Sequence, residues 1–136
     1  MRDLAEYKSR LCDIGRRMYQ REFVAANDGN ISCRIGDSEI LITPTGVSKG
    51  FMTPEMIVRL NLDGEVLEVA MKPSSETAMH VQLYRACDGI GAIVHAHPLY
   101  ATLCAIIGRP LDQKLVPEAI LLLGSVPVAK YGTPST

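Results

Sequence analysis

Two turn signals divide the first half of this chain into short β-type runs, and they constrain its fold more than any other feature. Gly36-Asp37-Ser38 separates the runs 31–35 and 39–43, and Asp63-Gly64 interrupts an apolar-rich stretch over residues 57–69. Runs this short, joined by so few residues, pair most readily as antiparallel hairpins. We therefore predict a mainly antiparallel sheet.

Helix signals lie on both sides of these runs. The opening segment repeats apolar residues at steps of three and four, as on one helical face: Leu4, Tyr7, Leu11, Ile14 and Met18. Further helices are predicted to begin at Thr53, Ser74 and Pro98, where capping residues or proline precede helix formers. Helices flanking hairpins predict an α/β (α+β) domain, in which three α/β/α layers surround the sheet.

Three details of this prediction can be checked against a structure. The helix after Ser74 is expected to turn Met79, Leu83 and Cys87, or their neighbours, inward. Residues 92–97 read as a strand, with Val94 and Ala96 facing the core. The region that contains Pro117, Gly124, Pro127 and Gly132 reads as short strands and loops.

The composition is that of one globular domain. The chain has 136 residues, of which 47% are hydrophobic and 21% charged, and its formal net charge is −1. That balance excludes a disordered chain, and the lack of a basic run argues against nucleic acid or an anionic membrane as partner. Apolar stretches stop far short of the roughly 20 residues of a membrane span. We expect a single domain over residues 1–136, with neither nucleic acid nor membrane among its partners.

The N-terminus and the cysteines indicate a compartment. The first ten residues are charged at short intervals and contain no apolar signal-peptide core. The cysteines, Cys12, Cys33, Cys87 and Cys104, occur singly among apolar neighbours. Such spacing suits neither a disulfide framework nor a zinc knuckle. We expect reduced, mostly buried thiols in a cytoplasmic protein.

His95-Ala96-His97 is the most informative functional motif. Side chains two residues apart in a strand point to the same face, so both imidazoles could bind one metal ion. Two structural histidines would have the same spacing, because the motif is short. A catalytic divalent ion normally takes three protein ligands, so this pair alone does not complete a site.

Ser74-Ser75-Glu76 marks a predicted helix start. Hydroxyls and unpaired backbone N–H groups there favour an anion such as a phosphate. A carboxylate in the first turn is stabilised in its ionised form, as a proton acceptor requires. An ordinary capped helix start uses the same residue types, so the functional and the structural interpretations both stand.

Two turn-rich segments and one histidine are weaker candidates. Gly29-Asn30 and residues 43–46 could cradle an anion with their amides, although each alone is also an ordinary turn. His80 lies four residues after Glu76, on the same face of the predicted helix. A lone helical histidine is more often a hydrogen-bonded structural residue than a metal ligand, and we interpret His80 in that way.

Taken in order and spacing, four segments resemble the class II aldolase/adducin family: 29–32, 41–46, 72–76 with His80, and 94–98. The resemblance extends over essentially all of residues 1–136. It implies a three-layer α/β/α fold with a central antiparallel sheet. It also implies a homotetramer whose active sites lie at subunit interfaces.

The resemblance implies a role for each candidate residue. His95 and His97 would be zinc ligands and Glu76 the acid/base. The substrate phosphate would be bound by Asn30, Thr45, Gly46, Ser74 and Ser75.

The activity implied by the resemblance is that of a zinc-dependent aldolase. It would cleave a phosphorylated ketose through an enediolate into dihydroxyacetone phosphate and an aldehyde, with zinc as the Lewis acid. A sugar-phosphate 4-epimerase or decarboxylase would use related chemistry. A catalytically inactive, adducin-like assembly module is the alternative from outside the enzymes.

The end of the sequence departs from the family pattern. The third zinc-binding histidine of the family lies on a later segment than this sequence reaches, and Glu118 stands near a position where some members have a tyrosine. Residues 131–136 read as a loop leading into another helix capped by Ser135 or Thr136. We therefore expect that the C-terminal part of the domain is missing, and that the 136-residue chain binds zinc weakly and is a weak or inactive aldolase.

Overall fold

The structure, a computed structural model, describes residues 3–68, 71–112 and 116–133. These residues fall into two compact units, one ending at His97 and the other running from Pro98 to Thr133. A single domain over residues 1–136 stays a prediction. The described helices are all too short or too polar to cross a membrane.

The first unit contains two helices and one four-stranded antiparallel sheet. Its elements are α1 (Leu4–Gln20), β1 (Asn30–Arg34), β2 (Glu39–Ile42), β3 (Val58–Asn61), α2 (Thr77–Ala86) and β4 (Ala92–His95), with 3-10 turns at Lys49–Phe51 and Pro54–Met56. The strand order is β3-β2-β1-β4, and every neighbouring pair is antiparallel. The predicted opening helix, the first hairpin and the mainly antiparallel sheet are confirmed.

The sheet has a helix on each face, because its side chains alternate between two apolar clusters. On one face Ile31 and Leu41 pack with Leu11 of α1. On the other face Ile40 and Ile42 pack with Val81 of α2. These three layers are the predicted α/β/α arrangement, and chemistry at the ends of β1 and β4 lies between the two helical layers.

The inward face of α2 is formed by neighbours of the three residues named in the prediction, about one residue of rotation away. Its buried residues are His80, Val81 and Tyr84, whereas Leu83 is 40% exposed and Cys87 is exposed. Hydrophobicity alone favours burial of Leu83 and Cys87. His80 and Tyr84 are buried instead because Ser32 of β1 lies opposite them and forms hydrogen bonds with both side chains.

Two strand predictions need correction. The arm after Asp63-Gly64 makes only an isolated bridge, Leu60↔Val66, within the described residues; that arm is exposed and so gains little burial from pairing, and Val69 lies outside them. The strand predicted over 92–97 ends at His95. Val94 is 54% exposed rather than core-facing, while Ala96 packs against the α1 cluster as expected.

The second unit contains α3 (Leu99–Ile106) and α4 (Pro117–Leu122). Pro98 precedes α3, as predicted. The prediction of short strands and loops is wrong for α4, where Pro117 occupies a first-turn position that favours a helix. The proposed caps Ser135 and Thr136 lie outside the described residues.

The cysteines are all free, as expected for reduced thiols, but their burial was overestimated. Cys12 is buried, Cys33 and Cys104 are half-buried, and Cys87 is exposed because it caps the C-terminal end of α2.

Candidate active site

Backbone hydrogen bonds bring the three segments with predicted anion ligands side by side. The Thr43 N–H donates to the Ile31 carbonyl over 3.0 Å, and the Ser74 N–H donates to the Thr43 carbonyl over 3.1 Å. Two residues further on, the Thr45 N–H donates to the Lys72 carbonyl over 3.0 Å. The start of β1, the turn after β2 and the approach to α2 therefore form one continuous patch.

The predicted anion ligands differ in exposure within this patch. Asn30 is 4% exposed and Ser74 is 7% exposed, Thr45 is half-buried, and Gly46 and Ser75 are exposed. The Glu76 N–H donates to Ser74 Oγ over 3.3 Å, so the Ser74 hydroxyl organises the turn that leads into α2. The helix itself begins at Thr77, slightly later than the sequence suggested.

The two histidines of the metal motif lie beside this patch. Asn30 pairs with His95 in the register of β1 and β4. The rings of His95 and His97 meet edge to face with their centroids 5.0 Å apart, although His97 lies just beyond the strand. The two imidazole rings are therefore in contact, and His95 lies next to the predicted phosphate ligand Asn30.

His95 has an unsatisfied ring nitrogen. Within the described ranges, its Nδ1 atom is buried and makes no hydrogen bond. A buried polar atom without a partner costs about 1–3 kcal/mol, so native sites usually provide one. A bound cation or substrate group near this ring would remove that cost.

Asp28 adds a carboxylate that the sequence analysis treated only as part of a turn. Its Oδ1 accepts from the Ala25 N–H over 2.7 Å, and its Oδ2 lies 3.5 Å from His97 Nδ1. A carboxylate beside one ring nitrogen favours a proton there and leaves the other nitrogen for a ligand. The sequence holds no local signal for this contact, because 69 residues separate the two side chains in the chain.

Burial favours a neutral His95 ring. Burial lowers the pKa of His95, and neighbouring His97 lowers it further, while Glu76 and Asp28 oppose the change. A neutral imidazole keeps the lone pair that binds a metal ion.

The metal ligands in the described part of the chain are incomplete. No cluster of three or more histidine, cysteine, aspartate or glutamate residues there could hold an ion. His95 and His97 fit two positions of a zinc site by residue type and proximity, and the orphaned His95 nitrogen is consistent with a missing bound group.

His80 and Lys49 support the site from the core. His80 is fully buried and hydrogen-bonded, consistent with its structural interpretation. Lys49 is also buried, and its Nζ donates to the Val47 carbonyl over 2.7 Å and to the Asn27 carbonyl over 3.2 Å. Lys49 therefore ties the turn before β1 to the turn after β2, a role that its place in a polar turn did not indicate.

Comparisons with known proteins give this chain a family context. The family described as Class II Aldolase and Adducin N-terminal domain matches residues 9–136. An L-fuculose phosphate aldolase of Methanococcus maripaludis is 38% identical over 129 residues, which are 95% of this chain and 67% of that protein. A 3-oxo-tetronate 4-phosphate decarboxylase of Haemophilus influenzae is 32% identical over an alignment that covers 100% of this chain and 66% of that protein.

The fold comparison agrees. The structure of an L-fuculose 1-phosphate aldolase superposes with a TM-score of 0.88 at 31% identity, covering 96% of this chain and 62% of that one. The chain thus spans about two thirds of the length of these relatives.

Proposed function

Because this chain belongs to the class II aldolase and adducin family, we propose that it is part of a zinc-dependent aldolase acting on a phosphorylated ketose in the cytoplasm. The products would be dihydroxyacetone phosphate and an aldehyde. Relatives named L-fuculose phosphate aldolase support the aldolase reaction and the sugar-phosphate substrate class.

The observation that carries this proposal is that the predicted phosphate ligands and the predicted metal ligands are neighbours. Asn30 of the phosphate-binding patch pairs with His95 of the metal motif in the register of β1 and β4. A sugar phosphate presents a dianionic group at one end and carbonyl and hydroxyl oxygens nearby. A donor-rich patch next to paired imidazoles matches both parts of such a substrate.

Two histidines would hold the metal. His95 and His97 supply the imidazole ligands, and the contact of Asp28 with His97 would orient the second ring. When bound, zinc supplies Lewis-acid polarisation of a substrate carbonyl.

Phosphate binding would fall to donors from three segments. The side-chain amide of Asn30, the hydroxyl groups of Thr45, Ser74 and Ser75, and the backbone of Gly46 would surround the phosphate oxygens. Several donors from separate segments fix a phosphate in position as well as binding it.

Glu76 would carry the proton. It lies between the anion patch and α2, and its charge acts on both His80 and His95. As the C3–C4 bond breaks, the C4 hydroxyl loses its proton to solvent, the aldehyde leaves, and the dihydroxyacetone phosphate half remains as an enediolate. Protonated Glu76 would then give its proton to the enediolate carbon, and in the reverse reaction the Glu76 carboxylate would remove a proton from that carbon.

The assembly would be a homo-oligomer, with a tetramer as the expected form. The second unit exposes many large apolar side chains, among them Leu99, Tyr100, Ile106, Leu121 and Leu122. Exposed apolar surface of this extent is typical of faces that become covered by protein.

A decarboxylase is the second candidate function. The relative named 3-oxo-tetronate 4-phosphate decarboxylase aligns with the whole of this chain, and its name describes another phosphorylated sugar derivative. A 4-epimerase would also use this patch, whereas an assembly module would bind no substrate at it.

The test is a turnover assay of the full-length protein with added Zn²⁺ and a panel of phosphorylated ketoses. We expect release of dihydroxyacetone phosphate that stops when zinc is chelated. Glu76→Gln should lower kcat at least about 100-fold, the usual contribution of a general acid/base. Glu22→Gln, at an exposed glutamate elsewhere on the surface, is the matched control and should stay within about twofold of wild type.

The products separate the alternatives. Release of carbon dioxide together with dihydroxyacetone phosphate, and without an aldehyde, when 3-oxo-tetronate 4-phosphate is added to the panel would identify a decarboxylase. A changed C4 configuration without cleavage would identify an epimerase. Failure of the full-length protein to convert any phosphorylated sugar would contradict the enzymatic proposal and favour the assembly module. The 136-residue chain should be less active than the full-length protein.

A further inference from the structure

A chain of hydrogen bonds crosses the buried contact between α2 and β1. Asn30 Oδ1 lies 2.5 Å from His80 Nε2, and His80 Nδ1 lies 2.7 Å from Ser32 Oγ. Ser32 Oγ is in turn 2.8 Å from Tyr84 Oη. His80, Ser32 and Tyr84 are fully buried. Polar groups in such a place are costly unless each is satisfied, so the direction of every bond matters.

The chemistry of the groups fixes that direction. An amide oxygen can only accept, so the proton between Asn30 and His80 belongs to His80 Nε2. A neutral imidazole protonated there has a bare Nδ1, to which the Ser32 hydroxyl must donate. The Ser32 oxygen then accepts from the Tyr84 hydroxyl. The hydrogen bonds are therefore donated in one direction: from Tyr84 to Ser32, from Ser32 to His80, and from His80 to Asn30.

His80 is neutral at physiological pH. Burial, assisted by neighbouring His95 and opposed by Glu76, lowers the pKa of His80 to about 4. A neutral ring carries one proton, and the contacts of Ser32 and Asn30 determine which nitrogen holds it. His80 can thus donate to Asn30 without a competing charged form.

We propose that His80 is a positioning residue that sets which end of the Asn30 amide faces the substrate phosphate. By donating to Oδ1, His80 keeps the amide oxygen on its own side and leaves both N–H groups of Asn30 to the anion. An amide turned by 180° would present oxygen to the phosphate, replacing attraction by repulsion. This inference rests on the proposed function, in which Asn30 binds that phosphate.

His80 contacts two of the segments that carry predicted anion ligands. The His80 backbone N–H donates to the Glu76 carbonyl over 3.2 Å, one turn from the segment with Ser74 and Ser75. His80 therefore joins α2, whose preceding turn carries the predicted anion ligands Ser74 and Ser75, to the β1 side chain that supplies another.

The first measurement is the tautomer of His80 in the full chain. Nitrogen-15 chemical shifts of the imidazole report which ring nitrogen carries the proton. We expect a proton on Nε2 and none on Nδ1 at pH 7. A proton on Nδ1 would overturn the positioning role and leave the proposed function intact.

The second measurement is the affinity of inorganic phosphate, followed by the shift of the Asn30 side-chain amide signal. His80→Leu removes the donor and should weaken phosphate binding at least about fivefold, a loss smaller than that of one whole charge-assisted bond. His80→Gln can still donate from its amide nitrogen and should restore binding to within about twofold. Val81→Ala, on the same buried face of α2 but outside the network, controls for destabilisation and should bind as wild type.

These results separate the positioning role of His80 from the existence of the anion site. Equal phosphate affinity in wild type and His80→Leu would overturn the positioning role alone. Failure of wild type to shift the Asn30 signal with phosphate would overturn the anion site and, with it, this inference. If His80→Leu does not fold, the wild-type tautomer and the phosphate affinity of His80→Gln still test the assignment, since a tenfold loss in His80→Gln would contradict it.

Discussion

Gly29 lies where the backbone before β1 passes closest to the metal motif. Its φ is +68°, a region that favours glycine. A β-carbon added there would lie 2.4 Å from Val24 Cγ1 and 2.9 Å from the His95 carbonyl oxygen. The residue is therefore required both by backbone conformation and by the close approach of β4.

Gly29→Ala should destabilise the protein by more than about 2 kcal/mol, because a steric clash adds to the left-handed conformation. Gly64→Ala is the matched control: its φ is +84°, but a β-carbon there would have no neighbour within 4 Å. That variant should lose only about 1 kcal/mol. Urea unfolding of both proteins measures the difference, and equal losses would contradict the close packing of Gly29 on His95.

At the residue scale, the sequence predicted the candidate ligands but not what holds them. His95, Ser74 and Glu76 occur in short motifs whose chemistry can be read locally. Asp28 and Lys49 act through partners that the fold alone brings near, a histidine ring and two backbone carbonyls. Contacts of this kind leave no local pattern in a single sequence.

Local periodicity was sufficient to predict the helices and strands whose buried faces are apolar. The apolar steps of α1 and the alternation in β1 and β2 predicted those elements because their core faces are apolar. The buried face of α2 lies at neighbours of the most apolar residues, because it buries a histidine and a tyrosine that are satisfied only by side chains about 50 positions earlier. A hydrophobic pattern cannot report that pairing.

The corrected face of α2 predicts a contrast between two neighbouring apolar residues. Val81 is 6% exposed and packs in the cluster beneath the sheet, whereas Leu83 is 40% exposed. Val81→Ala should cost about 2 kcal/mol through lost contacts and a cavity. Leu83→Ala should cost less than about 1 kcal/mol, although it removes the larger side chain.

The free energy of unfolding, measured in urea for both variants, decides between the two faces. A larger loss for Leu83→Ala than for Val81→Ala would restore the face predicted from hydrophobicity. It would also remove Val81 from the core, because residues two apart on a helix lie on nearly opposite faces.

At the scale of the whole molecule, the two units differ in how they are stabilised. The first unit has two apolar clusters and a satisfied polar network around the candidate site. The second unit leaves most of its large apolar side chains exposed, including Leu121 and Leu122 of α4. The family resemblance predicted the fold of the first unit well, because its motifs all lie at or before residue 98.

Zinc affinity of the full-length protein, measured by competition with a chromophoric chelator, distinguishes a zinc site at His95 and His97 from two structural histidines. We predict one Zn²⁺ per chain, with affinity at least about tenfold lower in His95→Ala and in His97→Ala. Cys87→Ser, which removes an exposed thiol outside the site, should bind zinc as wild type does. Wild-type affinity in both histidine variants, or a loss confined to Cys87→Ser, would contradict the account.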